Sequence, residues 1–112
     1  MTDNLPAARV PLYALTSILL ALFLSACGNS SSELAGPSET IHVYKANCIS
    51  CHGSDLQGKM GPSTDLTQVG SRLSKEQITN QIHNGGELMP AFKGKLTAQQ
   101  IKELAQWLSA KK

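Results

Sequence analysis

Apolar residues are arranged in three different ways along this chain, and each arrangement predicts something different. From Val10 to Leu24 the run VPLYALTSILLALFL is broken only by Thr16 and Ser17. At about 15 residues it is shorter than the ~20 that span a bilayer as a helix, and it suits the core of a signal peptide. Gly28 to Ser38, GNSSSELAGPS, has no apolar period and the Gly/Ser/Pro composition of a flexible tether. Beyond it, apolar positions recur at helical spacing. SETIHVYKAN, from Ser38 to about Asn47, opens on a residue suited to an N-cap and sets Ile41, Tyr44 and Cys48 on one stripe. Ser74-x-x-Gln77 is a capping-box pattern ahead of Ile78 and Ile82, in a helix that should end near Gly85. Thr97-x-x-Gln100 repeats the pattern ahead of Ile101, Leu104, Ala105 and Leu108, whose spacing predicts a terminal helix with one buried face.

The residues after the apolar run extend this reading. Leu24-Ser25-Ala26-Cys27-Gly28 resembles the bacterial lipobox, in which the cysteine receives a diacylglyceryl group and the bond before it is cut. The expected division is a signal peptide over 1–26, a tether over 27–37 beginning at a lipidated Cys27, and a domain over 38–112. Two acyl chains suffice for stable attachment, which places the domain on the outer face of the bacterial cytoplasmic membrane. The start of the chain is less basic than most signal peptides, with Arg9 opposed by Asp3. The alternative is an uncleaved apolar anchor with Cys27 as an idle thiol.

Cleavage would leave 112 − 26 = 86 residues, enough for one small domain. At that size an apolar core alone is marginal, and the aromatics of the mature part are only Tyr44, Phe92 and Trp107. A bulky cross-linked cofactor would compensate for both. The formal net charge is +2, with no basic run interleaved with aromatics, so nucleic acid is not an expected partner. The closing Lys111–Lys112 pair fits a helix C-terminus matched to its macrodipole.

Three cysteines cannot all pair internally. Cys48-Ile49-Ser50-Cys51-His52 meets the requirement for a c-type haem, with two thiols to add across the vinyl groups and an adjacent imidazole to bind iron. A thioredoxin-like pair would need a βαβ setting, and no alternating strands flank the motif. Zinc would need two more ligands, but only His42 and His83 remain and neither belongs to a second Cys/His pair.

With that motif, Gly53, Gly61-Pro62, Met89-Pro90-x-Phe92 and Trp107-Leu108, the chain from Ser38 onward resembles the small class I cytochromes c, in particular the membrane-anchored lipoprotein type. The resemblance implies an all-α fold of three to four helices around one covalent haem c. It further implies that the last helix crosses the first near Trp107, and that the Pro62 carbonyl accepts the His52 Nδ1–H. Two positions depart from the family. Thr40-Ile41 stands where many relatives have a close-packing glycine, and Ser63-Thr64 displace the usual leucine, leaving Leu66 as the next candidate for the haem wall.

The sixth iron ligand decides between carrier and catalyst. Met89, 89 − 52 = 37 residues after His52, lies in Gly85-Gly86-Glu87-Leu88-Met89-Pro90, a loop able to pass close over a flat cofactor. The resemblance assigns the ligand to this methionine. Met60 and His83 are the rivals. The function expected is that of a monomeric, non-enzymatic one-electron carrier between a quinol-oxidising complex and a terminal oxidase, with Lys59, Lys93 and Lys95 available to steer an acidic partner. The competing classes are a haem enzyme such as a peroxidase, a thiol oxidoreductase, and a haem-bearing subunit of a larger oxidase or sensor.

Overall fold

The structure, a computed structural model, describes residues 34–112. The expected signal peptide and Cys27 lie outside the described residues. Five helices follow in order: α1 Ser38–Asn47, α2 Ile49–His52, α3 Val69–Arg72, α4 Lys75–Asn84 and α5 Ala98–Ser109, with a 3-10 turn at Pro62–Thr64 between α2 and α3. Among the described residues the only β feature is an isolated bridge between Lys93 and Leu96. The fold is all-α, as expected, with three long helices and two single turns among the described residues.

Both capping boxes form. The Ser74 hydroxyl accepts from the Gln77 N–H while the Gln77 side chain returns to the Ser74 N–H, and Thr97 and Gln100 do the same. Each box satisfies two N–H groups that a helix start otherwise leaves unpaired. The start of α1 differs from expectation. Pro37 is its N-cap and Ser38 its first helical residue, with no side-chain cap and the Pro37 carbonyl accepting from the Ile41 N–H at 3.0 Å. Proline has no N–H to leave unpaired and its ring fixes φ, here −59°, so the helix starts one residue earlier than the serine suggests.

α5 supplies the centre of the core. Its buried residues Ile101, Leu104, Ala105, Trp107 and Leu108 face α1, α3 and α4, and Leu104 and Ala105 are essentially inaccessible. Burying a leucine of that kind stabilises by about 1.5–3 kcal/mol. The crossing of α1 and α5 is made by Tyr44 and Trp107, edge to face with centroids 5.3 Å apart. Trp107 Nε1 also donates to the Ala35 carbonyl at 2.9 Å, so the segment leading into α1 lies against the last helix.

No glycine lies within α1, where Thr40 is buried, although just ahead of it a Cβ on Gly36 would sit 2.5 Å from Trp107 Nε1. The close approach is made elsewhere. Gly70 in α3 donates its N–H to the Lys111 carbonyl at 2.8 Å, and a Cβ on it would collide with the Ser109 carbonyl. Glycine lets two backbones touch at that point.

Candidate functional site

Cys48 ends α1 and caps α2, and the single turn of α2 closes through the His52 N–H bonded to the Cys48 carbonyl at 3.0 Å. That turn brings Cys48, Cys51 and His52 to the wall of one cavity of about 670 Å³, within the range of small-molecule and cofactor sites. Neither cysteine is in a disulfide. As a thiol, before any haem is attached, Cys48 is pushed up to about 11 by burial, against the opposing pull of Lys95.

His52 Nδ1 lies 2.8 Å from the Thr64 carbonyl oxygen. A carbonyl only accepts, so Nδ1 carries the hydrogen and the Nε2 lone pair remains uncommitted. This corrects the expectation that Pro62 supplies the acceptor. Pro62 opens the 3-10 turn, and its carbonyl accepts from the Asp65 N–H at 3.2 Å, whereas Thr64 at the end of the turn has its carbonyl free for the ring. Pro62 still lines the cavity.

The loop after α4 reaches the same cavity. Gly85 has φ +73°, a conformation costly to other residues, and its Cβ position would lie 2.5 Å from the Met89 carbonyl. The Gly86 N–H donates to that carbonyl at 2.8 Å, and the Phe92 N–H returns to Ile82 of α4 at 3.0 Å. The tight loop brings half-buried Met89 to the cavity wall, where Gln81 Nε2 stands 4.0 Å from its Sδ. Met60 borders the cavity too, 57 % exposed, but its N–H is bonded to the Thr64 hydroxyl, in the same loop that holds His52. His83 does not border it; it is exposed, with Nδ1 2.9 Å from the Asn84 side-chain oxygen.

The rest of the wall is largely apolar, built by Leu66, Val69, Leu73, Ile78, Ile82, Phe92 and Leu108. Leu66, the substitute expected from sequence, is among them. Arg72 is the sole lysine or arginine on the wall, its guanidinium bonded to the Asp65 carbonyl at 2.7 Å, while Lys59, Lys93 and Lys95 lie outside it. Sequence reasoning missed Thr64, Arg72 and Gln81. Thr64 acts through its backbone and left no signal, but Gln81 lies three residues after Ile78 and so shares its face of α4.

Two thiols, an imidazole with a free lone pair, a thioether and an apolar hollow form a donor set suited to a covalently held haem. The comparisons agree. Residues 37–108 match the family model described as cytochrome c oxidase, cbb3-type, subunit III. The chain is 35% identical to cytochrome c-550 of Bacillus subtilis, across 88% of this chain and 89% of that protein. It is 35% identical to cytochrome c-551 of the same organism, across 83% and 88%. Cytochrome c6 of a Nostoc species is 37% identical across 84% and 88%. The chain therefore belongs to the class I cytochromes c, a family whose cofactor is a covalently bound c-type haem.

Proposed function

We propose that this protein is a one-electron carrier of a membrane respiratory chain, held by lipid on Cys27 at the outer face of the bacterial cytoplasmic membrane. It passes electrons from a quinol-oxidising complex to a terminal oxidase. Cys48 and Cys51 would hold the haem through thioether bonds and His52 and Met89 would bind its iron, with Pro62 forming part of the wall. One observation carries this reading: two thiols, an imidazole with a free Nε2 and a methionine border the same apolar cavity. When bound, the haem supplies a one-electron couple, whose potential His/Met ligation raises.

The chain's own residues favour transfer over catalysis. With His52 and Met89 both holding the haem, no open site would remain for oxygen or peroxide, and the largely apolar wall would limit water around it. Small relatives named cytochrome c-550, c-551 and c6 support the carrier reading. Of the tether expected over 27–37, Ala35 is bonded to Trp107, and the residues before it would let the domain turn between partners in the membrane plane.

The test is an intact mass and a visible spectrum of protein matured by its own export machinery. Expected are one covalent haem, two acyl chains on Cys27, and a weak far-red sulfur-to-iron band in the oxidised protein that Met89→Ala abolishes. Cys27→Ser should release the protein from the membrane. A five-coordinate haem that binds peroxide would replace the carrier reading with a haem enzyme.

A further inference from the structure

We propose that Thr64 is a positioning residue for His52, and that its hydroxyl thereby helps set the reduction potential. This rests on the reading of His52 as an iron ligand. The Thr64 Oγ1 works in two directions, accepting from the Met60 N–H at 3.1 Å and donating to the Gly61 carbonyl at 2.7 Å. The Thr64 N–H adds a backbone bond to Gly61 at 3.0 Å. The hydroxyl therefore staples residues 60–64 shut, and the one Thr64 group left facing away from this knot is the carbonyl that meets His52 Nδ1 at 2.8 Å.

A second contact returns the knot to the ligand helix. The Gly58 N–H donates to the His52 carbonyl at 2.8 Å, and a Cβ on Gly58 would sit 2.8 Å from Thr64 Oγ1 and 2.9 Å from its carbonyl carbon. The lack of a side chain there lets the loop press the Thr64 peptide toward the ring. From His52 the circuit runs to Gly58, on to Thr64, and back to His52.

The consequence for redox chemistry follows from the Nδ1–H···O bond. An acceptor at Nδ1–H makes the imidazole a stronger donor at Nε2 and fixes the plane of the ring. A stronger donor favours the ferric state, so loosening the acceptor raises the potential. Serine can keep both hydroxyl bonds; valine keeps the shape of threonine and neither bond.

The experiment compares Thr64→Ser, Thr64→Val and Thr64→Ala in haem-loaded, export-matured protein. The readouts are the midpoint potential and the exchange rate of the His52 Nδ1 proton, followed by NMR in the reduced state. Second-shell partners commonly change metal-site properties by 10–100-fold, and this hydroxyl acts one step further out, so about threefold or more in the redox equilibrium constant is expected for valine and alanine, toward reduction. Tenfold would be 59 mV for one electron. Their Nδ1 protons should exchange faster, and serine should match the parent in both readouts. If valine and alanine keep the covalent haem and the far-red band yet leave both readouts at the parent values, the hydroxyl does not position His52. A parent protein without histidine ligation would instead overturn the functional reading on which the proposal rests.

Discussion

Replacing Tyr44 by phenylalanine isolates one hydrogen bond at the centre of the structure. Tyr44 has no accessible surface, its ring packs on Trp107, and its hydroxyl donates to the Gly53 carbonyl at 2.7 Å, immediately after His52. Phenylalanine keeps the ring and both packing partners but leaves the buried Gly53 carbonyl without that donor. An orphaned acceptor of this kind costs about 1–3 kcal/mol, and with the cavity left by one oxygen we expect about 1.5 kcal/mol. In a domain of this size each kcal/mol moves the midpoint by about 4–8 °C, so Tm should fall by roughly 6–12 °C. The assay is thermal unfolding of the haem-loaded protein followed by far-UV circular dichroism.

The same residue gives a signature in pH. Burial, the largest cause, pushes the Tyr44 phenol above its ordinary value of 10.0, and Asp55 adds to it. The folded state therefore holds this proton more tightly than the unfolded chain. That contribution is fully present below the ordinary tyrosine range and is lost as pH rises through and beyond it. The parent should lose stability above about pH 10 relative to Tyr44→Phe, and the difference between the two should shrink. A Tm change within 2 °C, or a difference that stays constant as the pH is raised, would refute the idea that a buried, bonded phenol secures this end of the ligand helix.

Three further outcomes test other parts of the structure. Gly70→Ala puts a methyl group against the Ser109 carbonyl and should destabilise by about 1–3 kcal/mol in urea titration, with α3 and the C-terminus exchanging amide protons faster. Gln81→Leu removes the N–H that faces the Met89 sulfur; if Met89 holds the iron as proposed, its thioether would donate more strongly and the midpoint potential should fall by less than the equivalent of tenfold, read by redox titration. If Lys59, Lys93 and Lys95 steer an acidic partner, electron-transfer rates should drop steeply with added salt and with charge-neutralising substitution, whereas a flat stopped-flow response would remove the steering argument.

Much of the fold was legible because its signals are local. The capping boxes at Ser74 and Thr97 and the stripe through Ile101, Leu104 and Leu108 depend on spacings of three and four residues, and the structure reproduces them. The Cys48–His52 motif is equally local, since one turn of helix is enough to present all three side chains to the cavity. What sequence did not reveal depends on backbone atoms brought together from afar. The acceptor for His52 is a carbonyl, which every residue possesses, and the choice of Thr64 over Pro62 is made by which of them the 3-10 turn already uses. The glycine that permits close packing was sought in α1 but lies in α3, because the tightest approach is to the C-terminal end of α5. Ser38 misled for a different reason, since its composition suits a cap but the preceding proline starts the helix.

The two proposed ligands are therefore secured by different physics. His52 sits on a helix that continues directly from α1, with its ring tied to Thr64 and its carbonyl tied to Gly58, so several independent bonds must fail before it moves. Met89 stands on a short loop anchored at its ends by Gly86 and Phe92, with a long contact from Gln81 as the only side-chain bond shown to its sulfur. The loop's flanking apolar residues point both ways: Phe92 is buried in the core while Leu88 is 83 % exposed beside the cavity. This asymmetry suits a carrier that must expose one edge of its cofactor to a partner. The turn that carries Cys48, Cys51 and His52 is half-buried and tied down by backbone bonds, whereas the loop that carries Met89 puts an apolar tip at the surface, where a partner would meet it.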